Sequence, residues 1–104
     1  MPDTETRSRT RTRSIEQVAP PPMFRVIYLN DEKTSIDFVI ESLMRYFDYD
    51  TNRAEKVTID IHEKGSAVVA ILPFEIAEQK GVEVTLNARA HSYPLQIKLE
   101  PEDV

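Results

Sequence analysis

Three polar side chains that could bind a positively charged group follow one another at Asn30-Asp31-Glu32. An α-ammonium group has three N–H donors, and an amide oxygen beside two carboxylates offers several acceptors for them at close range. Hydrogen bonds between charged partners are the strong ones. The same tripeptide could instead form an Asx-type turn that only caps the following helix. The tripeptide alone leaves both interpretations open.

A second candidate acceptor is His62, and its surroundings depend on the local secondary structure. If residues 51–62 are helical, Thr58 and His62 lie one turn apart on one face of the helix. The imidazole would then adjoin a small, partly apolar wall, as a site for an amine and a neighbouring side chain requires. A solvated, purely structural histidine is the alternative.

Most residue patterns that support catalysis or cofactor binding are missing from this sequence. With His62 and His91 as its only histidines and no cysteine, the chain has little support for a metal site, a disulfide framework or a thiol nucleophile. Its two glycines are too far apart for a phosphate-binding loop, and its serines lie in no nucleophile-elbow context. We therefore expect a binding protein that uses no cofactor, and not an enzyme.

The net charge of −5 restricts the classes of partner. An acidic domain repels phosphate backbones, so we expect no nucleic-acid partner. No run approaches the ~18 apolar residues of a membrane span, and the N-terminus has no apolar stretch typical of a secretory signal. These features predict a protein of the cytoplasm, and we expect it to be a monomer.

The first 22 residues differ in composition from the rest of the chain. They are rich in Thr, Ser and Arg and end in Pro20-Pro21-Pro22. Because they contain almost nothing that could form a core, we predict a disordered extension over residues 1–22 and one domain over residues 23–104. Four arginines against three acidic residues give the extension a charge of +1, which leaves −6 on the domain.

The elements of the domain follow from hydrophobic spacing. Residues 24–29 and 67–72 are short apolar runs typical of buried strands. Apolar residues at helical spacing predict a helix from Ile36 to Phe47, with Thr34 or Ser35 as its N-cap and Asp37 completing a capping box. A further helix should begin at Pro73 and continue to about residue 90, and residues 93–100 alternate like a last strand.

The segment between the first helix and the second strand is ambiguous. Ala54, Val57 and Ile61 fit a helix, whereas Val57, Ile59 and Ile61 alternate like a strand. Residues 63–66 could then form a hairpin turn, and the local pattern slightly favours this hairpin. The element order is β-α-(α or β)-β-α-β, an α+β fold with helices on one face of a small sheet.

Several of these motifs occur together in an order that is characteristic of one family. Residues 26–34 read VIYLNDEKT, and they are followed by Phe38-Val39-Ile40, Ala54-Glu55, His62, Gly65, the residues EIAE at 75–78, Lys80 and Tyr93-Pro94-Leu95. Over residues 23–100 the sequence resembles the ClpS family, adaptors of the bacterial N-end rule pathway that work with a Clp AAA+ unfoldase and its peptidase. The resemblance implies binding of proteins that begin with Leu, Phe, Tyr or Trp.

The resemblance also implies a fold, a β-α-α-β-α-β sandwich whose three-stranded antiparallel sheet carries the helices on one face. On this basis we predict that residues 51–62 form a second helix, against the local pattern. Tertiary context often overrides β-propensity in this way.

The resemblance assigns roles to individual residues of this chain. It implies that Asn30, Asp31 and His62 accept hydrogen bonds from the α-amine of the substrate, with Glu32 and Thr34 supporting that loop. The walls of the pocket for the first side chain would be Ile36, Val39, Thr58 and Leu95.

The partner expected from the resemblance is the N-terminal domain of a ClpA- or ClpC-type AAA+ unfoldase. Glu75 and Lys80 would form the docking surface for it, although the same residues are typical of a solvated helix face. In the family, a flexible N-terminal extension engages the pore of the unfoldase. The Arg-rich residues here could equally form a weakly nucleic-acid-binding arm.

Two positions depart from the family pattern, because Met often stands where this chain has Thr58, and Met or a similar long residue where it has Ile36. Threonine is smaller and branched, so we expect a wider pocket mouth that admits Ile or Val. A generic protein-interaction domain without such a pocket, for example a fold relative of the ribosomal stalk C-terminal domain, is the alternative function. An RNA-associated protein that uses the basic extension is a third.

Overall fold

The computed structural model describes residues 20–102 and contains three strands and three helices in these residues. Their order is β1 (Met23–Leu29), α1 (Ile36–Phe47), α2 (Thr51–Lys64), β2 (Ser66–Pro73), α3 (Phe74–Ala90) and β3 (Gln96–Pro101). This order confirms the predicted α+β class and the second helix. The predicted disorder of the extension lies, up to residue 19, outside the described residues.

The sheet is antiparallel, with the strand order β2-β1-β3. On the central strand, Val26 and Tyr28 have no exposed surface and face the helices. The opposite face carries the exposed Val68 and Ile71 of β2 together with charged side chains, and there Glu100 pairs with Arg25 at 3.6 Å and with Lys98 at 2.9 Å. One face of the sheet is therefore covered by the helices, and the other is solvated.

Helix α1 begins one residue later than the predicted capping box requires. Ser35 is the N-cap, and its Oγ accepts a hydrogen bond from the amide of Phe38 at 3.1 Å. Thr34 does not cap the helix, because its amide and hydroxyl both donate to Asp31. The predicted box of Thr34 and Asp37 is therefore wrong, whereas the alternative cap at Ser35 is confirmed.

Helix α2 overturns the hairpin that the local pattern favours. Asp50 caps its start by accepting from the amide of Arg53 at 2.8 Å. Gly65 ends it at φ 91°, a left-handed conformation that glycine adopts without strain. The helix buries Ala54, Thr58 and Ile61 and leaves Ile59 55% exposed, so the strand-like alternation of its isoleucines does not describe one buried face.

Buried polar groups fix how the helices lie on the sheet. The hydroxyls of Tyr28 on β1 and Ser42 on α1 are 2.9 Å apart, and Ser42 also donates to the carbonyl of Val39. The Tyr49 hydroxyl donates to the carbonyl of Val69 on β2 at 2.7 Å. Because these buried groups are paired, they specify one packing arrangement without an unsatisfied polar group. Between residues 20 and 102 no helix has the length and apolar character needed to cross a membrane.

Candidate functional site

The loop that follows β1 is connected directly to the C-terminal end of α2. The amide of Asn30 donates to the carbonyl of Gly65 at 2.9 Å. Gly65 turns the chain from α2 into β2, which pairs with β1 along its length. His62, in the last turn of α2, is thereby brought beside Asn30 and Asp31, which are distant from it in sequence.

Asp31 organises this loop through its carboxylate. Its Oδ1 accepts from the amides of Lys33 at 2.8 Å and Thr34 at 2.6 Å, and its Oδ2 accepts from the Thr34 hydroxyl at 2.7 Å. A carboxylate has about four acceptor positions, so one position on Oδ2 is left for an external donor. The Asx-type turn and the amine-binding role that the sequence left open are therefore compatible.

The charge of Asp31 is stabilised by its surroundings. Partial desolvation of the carboxyl would raise its pKa, but four effects together outweigh it and hold the pKa below its ordinary value. These are the hydrogen bonds from the amide and hydroxyl of Thr34, the hydrogen bond from the amide of Lys33 and the positive charge of Arg89. Asp31 is therefore ionised at neutral pH and can attract a cation.

A cavity of about 270 Å³ opens between this loop, α1 and α2. Asn30, Asp31, Glu32, Thr34 and His62 line its polar end. Its apolar end is lined by Ile36, Val39, Thr58 and Ile61. This volume lies near the lower end of the range for small-molecule sites and suits a single side chain. The cavity brings together eight of the nine residues predicted for the amine, the loop and the pocket walls.

The ninth residue, Leu95, is not part of the cavity lining. It is 1% exposed and belongs to the hydrophobic core. Arg89, near the end of α3, fixes the backbone beside it by donating to the carbonyls of Tyr93 and Leu95, both at 2.8 Å. Leu95 thus lies in the core that supports the site.

Thr58 contributes to the cavity with its apolar part. Its hydroxyl donates to the carbonyl of Ala54 one turn earlier, at 2.7 Å, and is therefore already paired. Because this bond occupies the hydroxyl, the side chain presents a short, branched apolar surface to the cavity.

Two residues near the loop were missed by the sequence analysis. Ile61 lines the cavity and is 3% exposed. Once residues 51–62 are taken as a helix, Ile61 lies three residues after Thr58 and therefore on the same face, which would have indicated that it lines the cavity. Arg89, which stabilises the charge of Asp31, had no local signal because it is 58 positions away in the sequence.

The residues predicted for partner docking lie on α3, outside the cavity. Glu75 is exposed in the first turn of the helix. Lys80 is half-buried, with its Nζ 5.9 Å from the centre of the Phe47 ring. Within residues 20–102 no three acidic or histidine side chains are grouped as a metal site would require.

Known proteins match this chain over most of its length. The family model for the ATP-dependent Clp protease adaptor protein ClpS matches residues 19–98. The ATP-dependent Clp protease adapter protein ClpS of Sodalis glossinidius is 41% identical over 85 residues, which cover 82% of this chain and 80% of that protein. The protein of the same name from Serratia proteamaculans is 39% identical over 88 residues, covering 85% and 83%.

A solved structure shares the fold. Agrobacterium tumefaciens ClpS2 bound to L-phenylalaninamide superposes with a TM-score of 0.77 at 34% sequence identity, covering 80% of this chain and all of that one. The family match and the identities to curated relatives agree with this superposition. The chain therefore belongs to the ClpS family of adaptor proteins of the ATP-dependent Clp protease.

Proposed function

We propose that this adaptor binds proteins whose free N-terminal residue is Leu, Phe, Tyr or Trp and delivers them to a Clp unfoldase and its peptidase. The observation that carries the proposal is the cavity in which the ionised Asp31, with one acceptor position unfilled, lies with Asn30 and His62 beside an apolar wall. An α-ammonium group would bind at the polar end of the cavity, and the side chain next to it would fill the apolar end.

The ligand of the solved relative supports this proposal. L-phenylalaninamide combines a free α-amine with one apolar side chain, and it is bound to the Agrobacterium tumefaciens protein. Those are the two chemical features that the polar and apolar ends of the present cavity would recognise. In the proposed complex the α-amine donates to Asn30, Asp31 and His62, while the side chain contacts Ile36 and the buried wall.

The delivery step uses a different surface in this proposal. Glu75 and Lys80 on α3 dock on the N-terminal domain of a ClpA- or ClpC-type unfoldase, outside the cavity that holds the substrate. A monomeric adaptor in the cytoplasm can then bind substrate and unfoldase together. Binding and transfer suffice for this role, and the adaptor itself carries out no chemical step.

The energetics favour a reversible complex. Burial of one Leu or Phe side chain contributes roughly 1.5–3 kcal/mol, and each charge-assisted hydrogen bond contributes roughly 1.5–3 kcal/mol. The loss of translational and conformational freedom offsets a large part of the gain from one side chain and two or three such bonds, so we expect a Kd no tighter than about micromolar. An adaptor that must release its substrate needs an affinity of this size.

Peptides that differ only in their first side chain test the proposal. Leu-start and Phe-start peptides are expected to bind about 10- to 100-fold more tightly than an otherwise identical Gly-start peptide, because glycine leaves the apolar end unfilled. Fluorescence anisotropy with peptides labelled at the C-terminus measures this. Equal affinity for the three peptides would refute the pocket and favour a generic interaction domain.

Thr58 should set the width of the pocket mouth. We expect the wild type to bind Ile-start and Leu-start peptides within about threefold, and T58M to weaken the Ile-start peptide about 10-fold while Leu is little affected. A longer side chain narrows the mouth, and a side chain branched at Cβ needs the space nearest to the peptide backbone.

A matched control for this prediction is T58V, which removes the hydroxyl bonded to Ala54 but keeps the branched shape. It should retain binding of the Ile-start peptide. If the wild type binds Leu and rejects Ile and Val, Thr58 does not widen the pocket.

A further inference from the structure

Strand β3 is an edge strand of the sheet. In the part of the chain that the structure describes, no strand pairs with it on the side away from β1. Just after β3, the amide of Glu102 donates to the carbonyl of Met23 at 2.8 Å. Because the residues that bond to the partner alternate along an antiparallel strand, Ile97 and Leu99 turn their backbone N–H and C=O groups towards the free edge.

The opposite edge of the sheet, β2, is protected against further pairing. Val69 is an extra residue between the partners of Val26 and Ile27, and it forms a β-bulge. Its carbonyl also accepts a hydrogen bond from the Tyr49 hydroxyl at 2.7 Å. A bulge of this kind keeps an edge strand from pairing with another chain. Strand β3 pairs with β1 without a register shift, so it lacks this protection.

An apolar groove of about 250 Å³ lies between the free edge and α3. It is lined by Ile97 and Leu99 of β3 and by Val82 and Leu86 of α3. On the helix, Val82 is 51% exposed and Leu86 is 65% exposed, and a cluster of exposed apolar side chains of this kind marks an interaction surface. Because side chains alternate between the faces of a strand, a strand added to β3 would direct every second side chain towards this groove.

The side chains of β3 fit a second copy of the same strand. Lys98 and Glu100 lie on the open face of the sheet, and Leu99 between them faces α3. If two copies pair antiparallel about a twofold axis at Leu99, Lys98 of each copy lies opposite Glu100 of the other. Opposite charges in this position stabilise a strand pair, whereas an axis at Lys98 would place two lysines opposite each other. The charges therefore favour the axis at Leu99.

We propose that β3 and the groove beside it bind a second copy of this chain, by antiparallel pairing of the two β3 strands about Leu99. The same surface of both copies forms the interface, as in most symmetric dimers. The twofold axis is perpendicular to the sheet, so the helices of both copies lie on the same face. Val82 and Leu86 of one copy then face the same side chains of the other.

This interface is small, because it consists of one strand of six residues and the apolar side chains beside it. Interfaces below the standard size form weak, transient complexes, so we expect a Kd on the order of 100 μM. The monomer expected from the sequence then remains the main form in dilute solution. The groove shares no lining residue with the proposed substrate cavity, so this inference does not depend on the proposed function.

Sedimentation velocity of the full chain measures the association. Between about 10 μM and about 1 mM, the mean mass of the wild type should rise from that of the monomer towards that of the dimer. L86S should weaken the association at least about fivefold, because it removes apolar surface from the groove. As a matched control, I59S changes a side chain on α2 that is 55% exposed and outside the groove, and it should associate like the wild type.

Two charge variants test the register of the strands. K98E and E100K each place like charges opposite each other in a dimer of identical copies, and each should associate at least about fivefold more weakly than the wild type. In an equal mixture of the two variants, opposite charges face each other again, so the mixture should associate more strongly than either variant alone. This recovery also shows that the variants are folded.

A wild type that stays monomeric up to about 1 mM would overturn the proposal and leave the groove to a different protein. If L86S associates as strongly as the wild type, the copies meet at another surface and the proposed interface is wrong. If the mixture of K98E and E100K associates no better than the separate variants, although both bind a Leu-start peptide normally, the strands do not pair about Leu99.

Discussion

Acetylation of the α-amine is expected to weaken the binding of a Leu-start peptide by at least about 100-fold. The acetyl group removes the positive charge and two of the three N–H donors, so the acceptor position left on Asp31 Oδ2 has no cationic partner. Charge-assisted bonds contribute roughly 1.5–3 kcal/mol each, and the loss of two of them corresponds to a factor of about 100 or more. Anisotropy titrations of the free and the acetylated peptide measure the ratio.

Asp31→Asn provides the reciprocal change on the protein. An asparagine Oδ1 still accepts from the amides of Lys33 and Thr34, and the Thr34 hydroxyl can accept from the new amide, so the loop is preserved. We expect the free peptide to bind this variant about 10- to 100-fold more weakly, with the weak binding of the acetylated peptide unchanged. This non-additivity is the signature of a direct contact between the amine and Asp31.

A control for the loop itself is T34V, which removes the hydroxyl that donates to Asp31 and keeps every charge. Its effect on free-peptide binding should be smaller than that of Asp31→Asn. If the acetylated peptide binds the wild type as tightly as the free one, the cavity does not recognise an α-amine and the assigned role of Asp31 is wrong.

The sequence predicts most of the fold, because most elements carry local signals. The periodicity of α1 and the apolar runs of β1 and β2 place these elements within one residue of their observed bounds. Strand β3 begins at Gln96, three residues later than predicted, and helix α2 is the main exception. Its caps, Asp50 and Gly65, are visible in the sequence, but the alternation of Val57, Ile59 and Ile61 competes with them, and packing against α1 and β2 decides between the two structures.

The candidate site is less predictable, because its geometry depends on contacts between residues distant in sequence. Residue types identify Asn30 and Asp31 as acceptors, but the bond from Asn30 to Gly65 that brings His62 near them has no local signal. The same is true of Arg89, whose charge acts on Asp31 from the end of α3. The sequence also could not show that Asp31 forms the turn and still keeps one acceptor position unfilled.

The second large effect concerns Leu95, which the resemblance assigns to the pocket wall and the structure places in the core. Because Leu95 is 1% exposed, L95A should create a cavity and lower the free energy of unfolding by about 2–5 kcal/mol. Urea denaturation followed by circular dichroism measures this change. As a matched control, L86A removes the same atoms from a side chain on α3 that is 65% exposed and should change stability by less than about 0.5 kcal/mol.

The two roles of Leu95 differ in what the variant does to peptide binding. If Leu95 acts only in the core, L95A that is still folded at low temperature should bind a Leu-start peptide with nearly wild-type affinity, because the cavity lining is unchanged. If Leu95 also contacts the bound side chain, the Leu-start peptide should lose affinity while a Gly-start peptide does not. Normal stability together with a selective loss of the Leu-start peptide would contradict the core role, and Leu95 would then belong to the wall of the pocket.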